Sequence, residues 1–384
     1  MEGHAVSLMK KTLALPILTF AVLASSCAGP NLRPGFQAAQ PVFQREWTIS
    51  TRTRETLAGE RGVEYSNPVL WENTLLFGTS EAGLVALYPT LGGQVRWVLP
   101  IRGGIASEIA REGNDLFFGG ADGFLYSVSA ETGRVNWRYD VKNPKISKPI
   151  VHSGRLLFTT SDDVISALEA GTGRLLWNYK RKAGAPATIH GASQPWTDGK
   201  QVLAGTSDGY VVVLGASDGR LLSEKRLASK SKFTDVDAGI IQDGQVFYVP
   251  SYDGDLYALR RGNLETLWRI DAGGSRSVAI DGDRLVLASS DGTIYMLQKS
   301  SGKILWKFAM DGGTPTVPLV TDKYVIVGSS YQYLYAIDKA SGELRDRWNV
   351  GYGSGFPGGM ALDPTRNVLY ALSGAANLYS FKIR

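Results

Sequence analysis

Few residues in this 384-residue chain are of types that do covalent or metal chemistry. There are three histidines, His4, His152 and His190, far apart in sequence, and one cysteine, Cys27. That stock supplies neither a Cys/His zinc cluster nor an intramolecular disulfide. The Asp-Gly pairs that begin at Asp122, Asp208, Asp253 and Asp291 precede short apolar runs, where both residues are favoured by hairpin-turn geometry. Asp235-Val236-Asp237 has two acids but lacks the rest of a calcium loop. No His-Glu-x-x-His pair or phosphate-binding Gly-rich loop is present. Two features remain with chemical potential: a thiol placed for modification, and loop residues suited to contact rather than catalysis.

The thiol has the stronger context. Lys10 and Lys11 form a charged start, Leu13 to Leu23 an apolar core, and Ala24-Ser25-Ser26 a small-residue cleavage zone directly before Cys27. This is an export signal over residues 1–26, with an apolar run too short to span a bilayer as a stable helix. Its end resembles a bacterial lipobox, which implies lipidation of Cys27 and anchoring at the periplasmic face of the outer membrane. Ala24 stands where that motif usually has Leu. Residues 27–45 then read as a tether interrupted by Gly29, Pro30, Pro34, Gly35 and Pro41.

The elements behind these residues follow from repetition. Hydrophobic residues make up 43% and charged residues 20%, as in folded globular chains, while 45 glycines without a Gly-X-Y period favour an all-β chain rich in tight turns. The formal charge of +5, with no long basic run, is too weak to indicate a nucleic-acid partner. Asp122-Gly-Phe-Leu-Tyr-Ser-Val-Ser-Ala-Glu-Thr-Gly-Arg-Val-Asn-Trp137 recurs along the chain in stronger and weaker copies. Anchored on the first apolar residue after the turn, the copies fall at Leu84, Leu125, Ile165, Val211, Leu256, Ile294, Leu334 and Leu378, about 42 residues apart. Each unit reads as four short antiparallel strands joined by Gly-containing turns, which is one propeller blade.

The eighth unit ends at Arg384 without its Trp strand, while Glu46-Trp47-Thr48 is a Trp strand with no unit before it. Joining them closes an eight-bladed β-propeller over residues 46–384 and removes an open sheet edge. Trp47, Trp97, Trp137, Trp177, Trp268, Trp306 and Trp348 are expected at one shared strand position, packed between blades, with Ser223 substituting in blade four.

The unit Asp-Gly-x-Leu-Tyr-Ala-Leu-x-x-x-Thr-Gly-x-x-x-Trp resembles the repeat of the pyrroloquinoline-quinone dehydrogenases, and equally that of the BamB family of propeller lipoproteins. The chain lacks the length and cysteine pair that the enzyme resemblance would imply, so no catalytic residue, cofactor or metal is expected. The BamB resemblance is sharper at the two longest repeat steps. Ile189-His190-Gly191-Ala192-Ser193-Gln194-Pro195 is similar to that family's Leu-Arg-Gly-x-Ser-x-Pro segment, and Asp235-Val236-Asp237 to its Ser-Asp-Val-Asp segment.

That resemblance implies a non-enzymatic scaffold of the outer-membrane β-barrel assembly (BAM) complex, binding the periplasmic POTRA domains of BamA. The contact residues it implies are Ile189, His190, Asp235 and Asp237, with Ala187 at the edge. His190 replaces an arginine of the family, and a mostly neutral imidazole cannot reproduce a guanidinium's two-pronged contact. Asp235 and Asp237, two apart, are expected to point outward together. The alternatives are a periplasmic propeller of the same repeat that binds another envelope protein or ligand, or a dehydrogenase-like enzyme.

Overall fold

The computed structural model describes residues 38, 40–51, 64, 66–143, 145–181, 192–227, 235–252, 254–274 and 276–384. Within them the chain forms eight antiparallel four-stranded sheets, an eight-bladed β-propeller. Seven blades take their strands consecutively, as with Ala110–Glu112, Asp115–Gly119, Phe124–Ser129 and Val135–Asp140 in blade two. The eighth joins Met360–Asp363, Val368–Leu372 and Asn377–Ile383 to Phe43–Ser50 from the other end of the chain. Phe43 lies opposite Ile383 and Ser50 opposite Asn377, so the expected closure is present and begins at Phe43.

The second and third strands of each blade are buried almost throughout because every blade is covered on both sides. Phe117 and Phe118 show the consequence of strand alternation: Phe118 joins the apolar cluster with blade one, and Phe117 the cluster with blade three. Eight such clusters fill the eight gaps between neighbouring blades. The core is therefore a ring of interfaces, two of which use the N-terminal strand: Phe43 belongs to the cluster with blade seven and Ile49 to that with blade one.

A shared irregularity sets the fourth strand. In all eight blades its ladder with the third strand slips by one residue at the same place. The bulge re-aims the next side chain. That position holds Trp97, Trp137, Trp177, Trp268, Trp306 and Trp47 in six blades and the exposed Ser223 in blade four. Each of the six indoles donates its N–H to a main-chain carbonyl of the next blade, as from Trp137 to Ala170 at 2.9 Å and from Trp47 to Pro89 at 3.2 Å. The indole also lies against a glycine of that blade's turn into its fourth strand. At Gly173, which has a φ of 72°, an added Cβ would stand 2.6 Å from the Trp137 ring, so only glycine seats it there.

Trp348 departs from the expected row. It lies two residues further on, opposite Leu334, and packs edge-on against Phe381 with ring centroids 5.2 Å apart. Asp346 holds the shared position instead. The reason is the closure: blade eight changes chain ends between its third and fourth strands, so no turn exists there to cover an indole. The Asp346 carboxylate accepts hydrogen bonds from the N–H groups of Val42 and Phe43 at 2.7 and 2.9 Å, fastening the incoming strand.

Candidate functional site: the loop face and the axial cavity

Because the strands alternate, every connection that leaves a fourth strand emerges on one face of the disc, beside the hairpins between second and third strands. The two long connections flank blade four on this face. Ala187, Ile189 and His190 lie outside the described residues, as does Cys27. The roots of both connections are described, and they are rigidly built.

Arg181, where the first connection begins, pairs with Asp208 and reaches Glu224 through Nε and Nη2 at 3.0 and 3.1 Å. Its guanidinium also sits 3.6 Å from the centre of the Tyr210 ring. The Glu224 bond, against the opposing effect of burial, holds the Arg181 proton even more firmly than usual and lowers the Glu224 carboxyl. Asp163, with a φ of 63°, accepts hydrogen bonds from the N–H and hydroxyl of Ser207 and so ties blade three to blade four. Burial raises its carboxyl despite those bonds. At the second connection, Leu227 donates its N–H to Gly209 O at 2.8 Å and accepts the Tyr257 hydroxyl at 2.7 Å.

The acid pair does not point outward together. Asp235 is 1% exposed, and its carbonyl accepts Tyr252 N–H at 2.9 Å. Val236 between the acids donates its N–H to Thr206 O at 3.1 Å and fills the space over Gly205, where a Cβ would come within 2.5 Å of the valine side chain. The apolar residue thus plugs the gap between blades four and five, and backbone threading, rather than strand alternation, sets where the acids face. Asp237 is half-buried, and its Oδ1 is sealed from solvent without a hydrogen-bond partner among the described residues. Burial, then the charge of Asp235, pushes the Asp237 carboxyl up to about 7, against a smaller opposing effect from Arg276.

Arg276 does not stand out in the sequence pattern. In five blades a hydroxyl at the inner end accepts the backbone N–H twelve residues on: Ser66 from Gly78, Ser107 from Gly119, Ser147 from Thr159, Ser193 from Gly205 and Thr316 from Gly328. Blade five has Ala238 there, opposite Pro250, which carries no N–H. Blade six has Arg276, twelve residues before Ala288. The twelve-residue Ser/Thr spacing is the signal that could find it, and it lies ahead of the strands on which the repeats align. Arg276 lines an axial cavity of about 370 Å³ together with Ser107, Glu108, Lys145, Ser147 and Lys148. Among the described residues, no cluster of three or more His, Cys, Asp or Glu side chains is placed to hold a metal.

The sequence profile described as "Outer membrane protein assembly factor BamB" matches residues 81–307 and 252–381. A segment of 164 residues is 33% identical to the outer membrane protein assembly factor BamB of Vibrio cholerae, covering 41% of this chain and 42% of that protein. A segment of 170 residues is 25% identical to the corresponding protein of Pseudomonas aeruginosa, covering 42% and 45%. The chain thus spans less than half the length of these curated relatives. Among solved structures, BamB from Moraxella catarrhalis matches with a TM-score of 0.73 over 89% of this chain and 100% of that one, at 18% identity. A europium-containing methanol dehydrogenase matches with a TM-score of 0.70 over 89% and 93%, at 12% identity. At such identities both likenesses speak to the fold alone. The profile, in contrast, matches well over half of the sequence, and on that ground the chain belongs to the BamB family of outer membrane protein assembly factors.

Proposed function

We propose that this chain is a non-enzymatic scaffold of outer-membrane protein assembly, lipid-anchored through Cys27 at the periplasmic face and docked on the POTRA domains of a BamA-like barrel. The family match carries the reading. It is supported by the two long connections emerging side by side from one face, on roots fixed by Arg181, Leu227 and Val236. Preformed roots lower the ordering cost of binding. In this reading Ile189 and His190, with Ala187 beside them, make the direct contacts. Asp235 and Asp237 act at one remove, by setting the path of the second connection.

The test is purification of the tagged protein from detergent-solubilised envelope. Ile189→Asp combined with His190→Glu should remove the barrel protein from the eluate while the melting temperature stays within a degree or two, as for the loss of a contact and not of the fold. Cys27→Ser should shift the protein out of the membrane fraction. A barrel that co-elutes at the wild-type level with the double variant overturns the docking assignment.

A further inference from the structure

The clefts of this molecule differ in how their charges are spent. On the face opposite the long connections, a cleft between blades six and seven is lined by the cations Arg284, Lys323, Lys339 and Arg345 and the acids Asp322 and Asp338. Three of the four cations are consumed internally: Arg284 and Lys339 pair with Asp281 at 2.7 and 3.0 Å, and Arg345 with Asp338 at 3.1 Å. The axial cavity is different. Lys148 meets Glu108 only at 3.8 Å, while Lys145 and Arg276 have no carboxylate within 4.0 Å among the described residues. Three cations therefore face one lining acid, and Asp237 opposes Arg276 only at longer range.

The cations are also the wall groups left to bind something. Ser107 and Ser147 accept N–H bonds from their own blades and donate to the carbonyls of Glu108 and Lys148 at 2.9 and 3.4 Å. A sugar or other neutral polar ligand would find these hydroxyls occupied. Arg276 is pre-positioned: Nε donates to Pro315 O and Nη2 to Pro357 O, each at 3.3 Å, so the side chain bridges from blade six to blades seven and eight. Neutral carbonyls fix its place without cancelling its charge, and Nη1 makes no hydrogen bond among the described residues. A cation held half-buried in this way is completed by an anion. The volume falls within the ~300–1,000 Å³ range of small-molecule sites.

We propose that the axial cavity is a binding site for a small polyanion bearing carboxylate or phosphate groups, with Arg276 as its anchor and Lys145 and Lys148 as its side walls. The site lies beside the roots of the docking connections but does not depend on the docking role, and its test uses no partner.

The experiment is calorimetric titration of the folded mature protein with citrate and, separately, inorganic phosphate at low ionic strength. Citrate is expected to bind, more weakly as salt is raised. Arg276→Gln should weaken it at least about tenfold, the usual loss for a charge-assisted contact, and Arg345→Gln on the opposite face should leave it unchanged. Lys145→Ala with Lys148→Ala provides a second route should Arg276→Gln unfold. Citrate binding tighter than phosphate is the expected result for a polyanion site, and phosphate binding equal to that of citrate overturns the polyanion assignment. No citrate or phosphate binding by the wild type up to about 10 mM, well beyond the weak millimolar range, overturns the proposal, as does unchanged binding after loss of Arg276 or of both lysines.

Discussion

At the scale of single residues, Asp237 shows how a loop acid becomes a structural variable. Its carboxyl moves from an ordinary 3.8 to about 7 because the folded chain buries it beside Asp235. The protonated form is thus favoured by folding. The resulting stability is fully present below pH 3.8 and is lost as pH rises through about 7, above which the penalty for the buried charge is constant. Asp237→Asn should therefore stabilise the protein by a few kcal/mol at pH 8, at about 1.4 kcal/mol per pKa unit, and be neutral near pH 3.5. Thermal melts at the two pH values check this, and a loss at pH 8 would mean that the carboxylate makes a stabilising contact. None of this is legible in Asp-Val-Asp as a string. The residue types suit an exposed contact equally well, and only the threading of Val236 over Gly205 turns the acids inward.

At the scale of elements, the fourth strands carry the exception that explains the rule. The repeat, the strand order and the eight-fold count are legible because Gly turns and apolar alternation recur about every 42 residues. The register of the last strand is not. Tryptophan is conspicuous, so the repeat pattern aligns Trp348 with the others, whereas the bulge places Asp346 at the shared position. Arg276 stays hidden for a related reason: it lies ahead of the strands that define the repeat. Asp346→Ala should cost about 3 kcal/mol by stranding two buried N–H groups. Asp346→Trp, which makes the blade conform to its siblings, should be at least as damaging, since blade eight has no turn to cover the indole. Chemical denaturation of the two variants measures both costs, and a Trp variant as stable as wild type would refute the clasp.

At the scale of the whole molecule, stability is shared around a ring. Removing one strand at the seam disturbs two of the eight interfaces, because Phe43 and Ile49 belong to different clusters. A chain beginning at residue 55 should aggregate, or melt at least ~5 °C below the protein that keeps Phe43–Ser50, a shift that corresponds to only a kcal/mol or two. Differential scanning of the two proteins decides it, and equal melting would show that seven blades and a remnant suffice. The seam strand is a small part of the chain. Its weight comes from being the element that turns a row of blades into a closed disc.

The Asp346 clasp and the strand it holds also impose an order in time. Within each of the first seven blades every strand pairs with a sequence neighbour, so those blades can form as the chain emerges. Phe43–Ser50 emerges before all of them, yet its partner Asn377–Ile383 is made last, and the bond between Glu46 and Ser380 spans 334 residues. Pairings this distant form late because a long loop must close before they contribute. During folding the first strand must therefore remain unpaired while seven blades assemble behind it. Its run of Gln44, Arg45 and Glu46, all exposed even in the finished disc, keeps that waiting edge charged and polar.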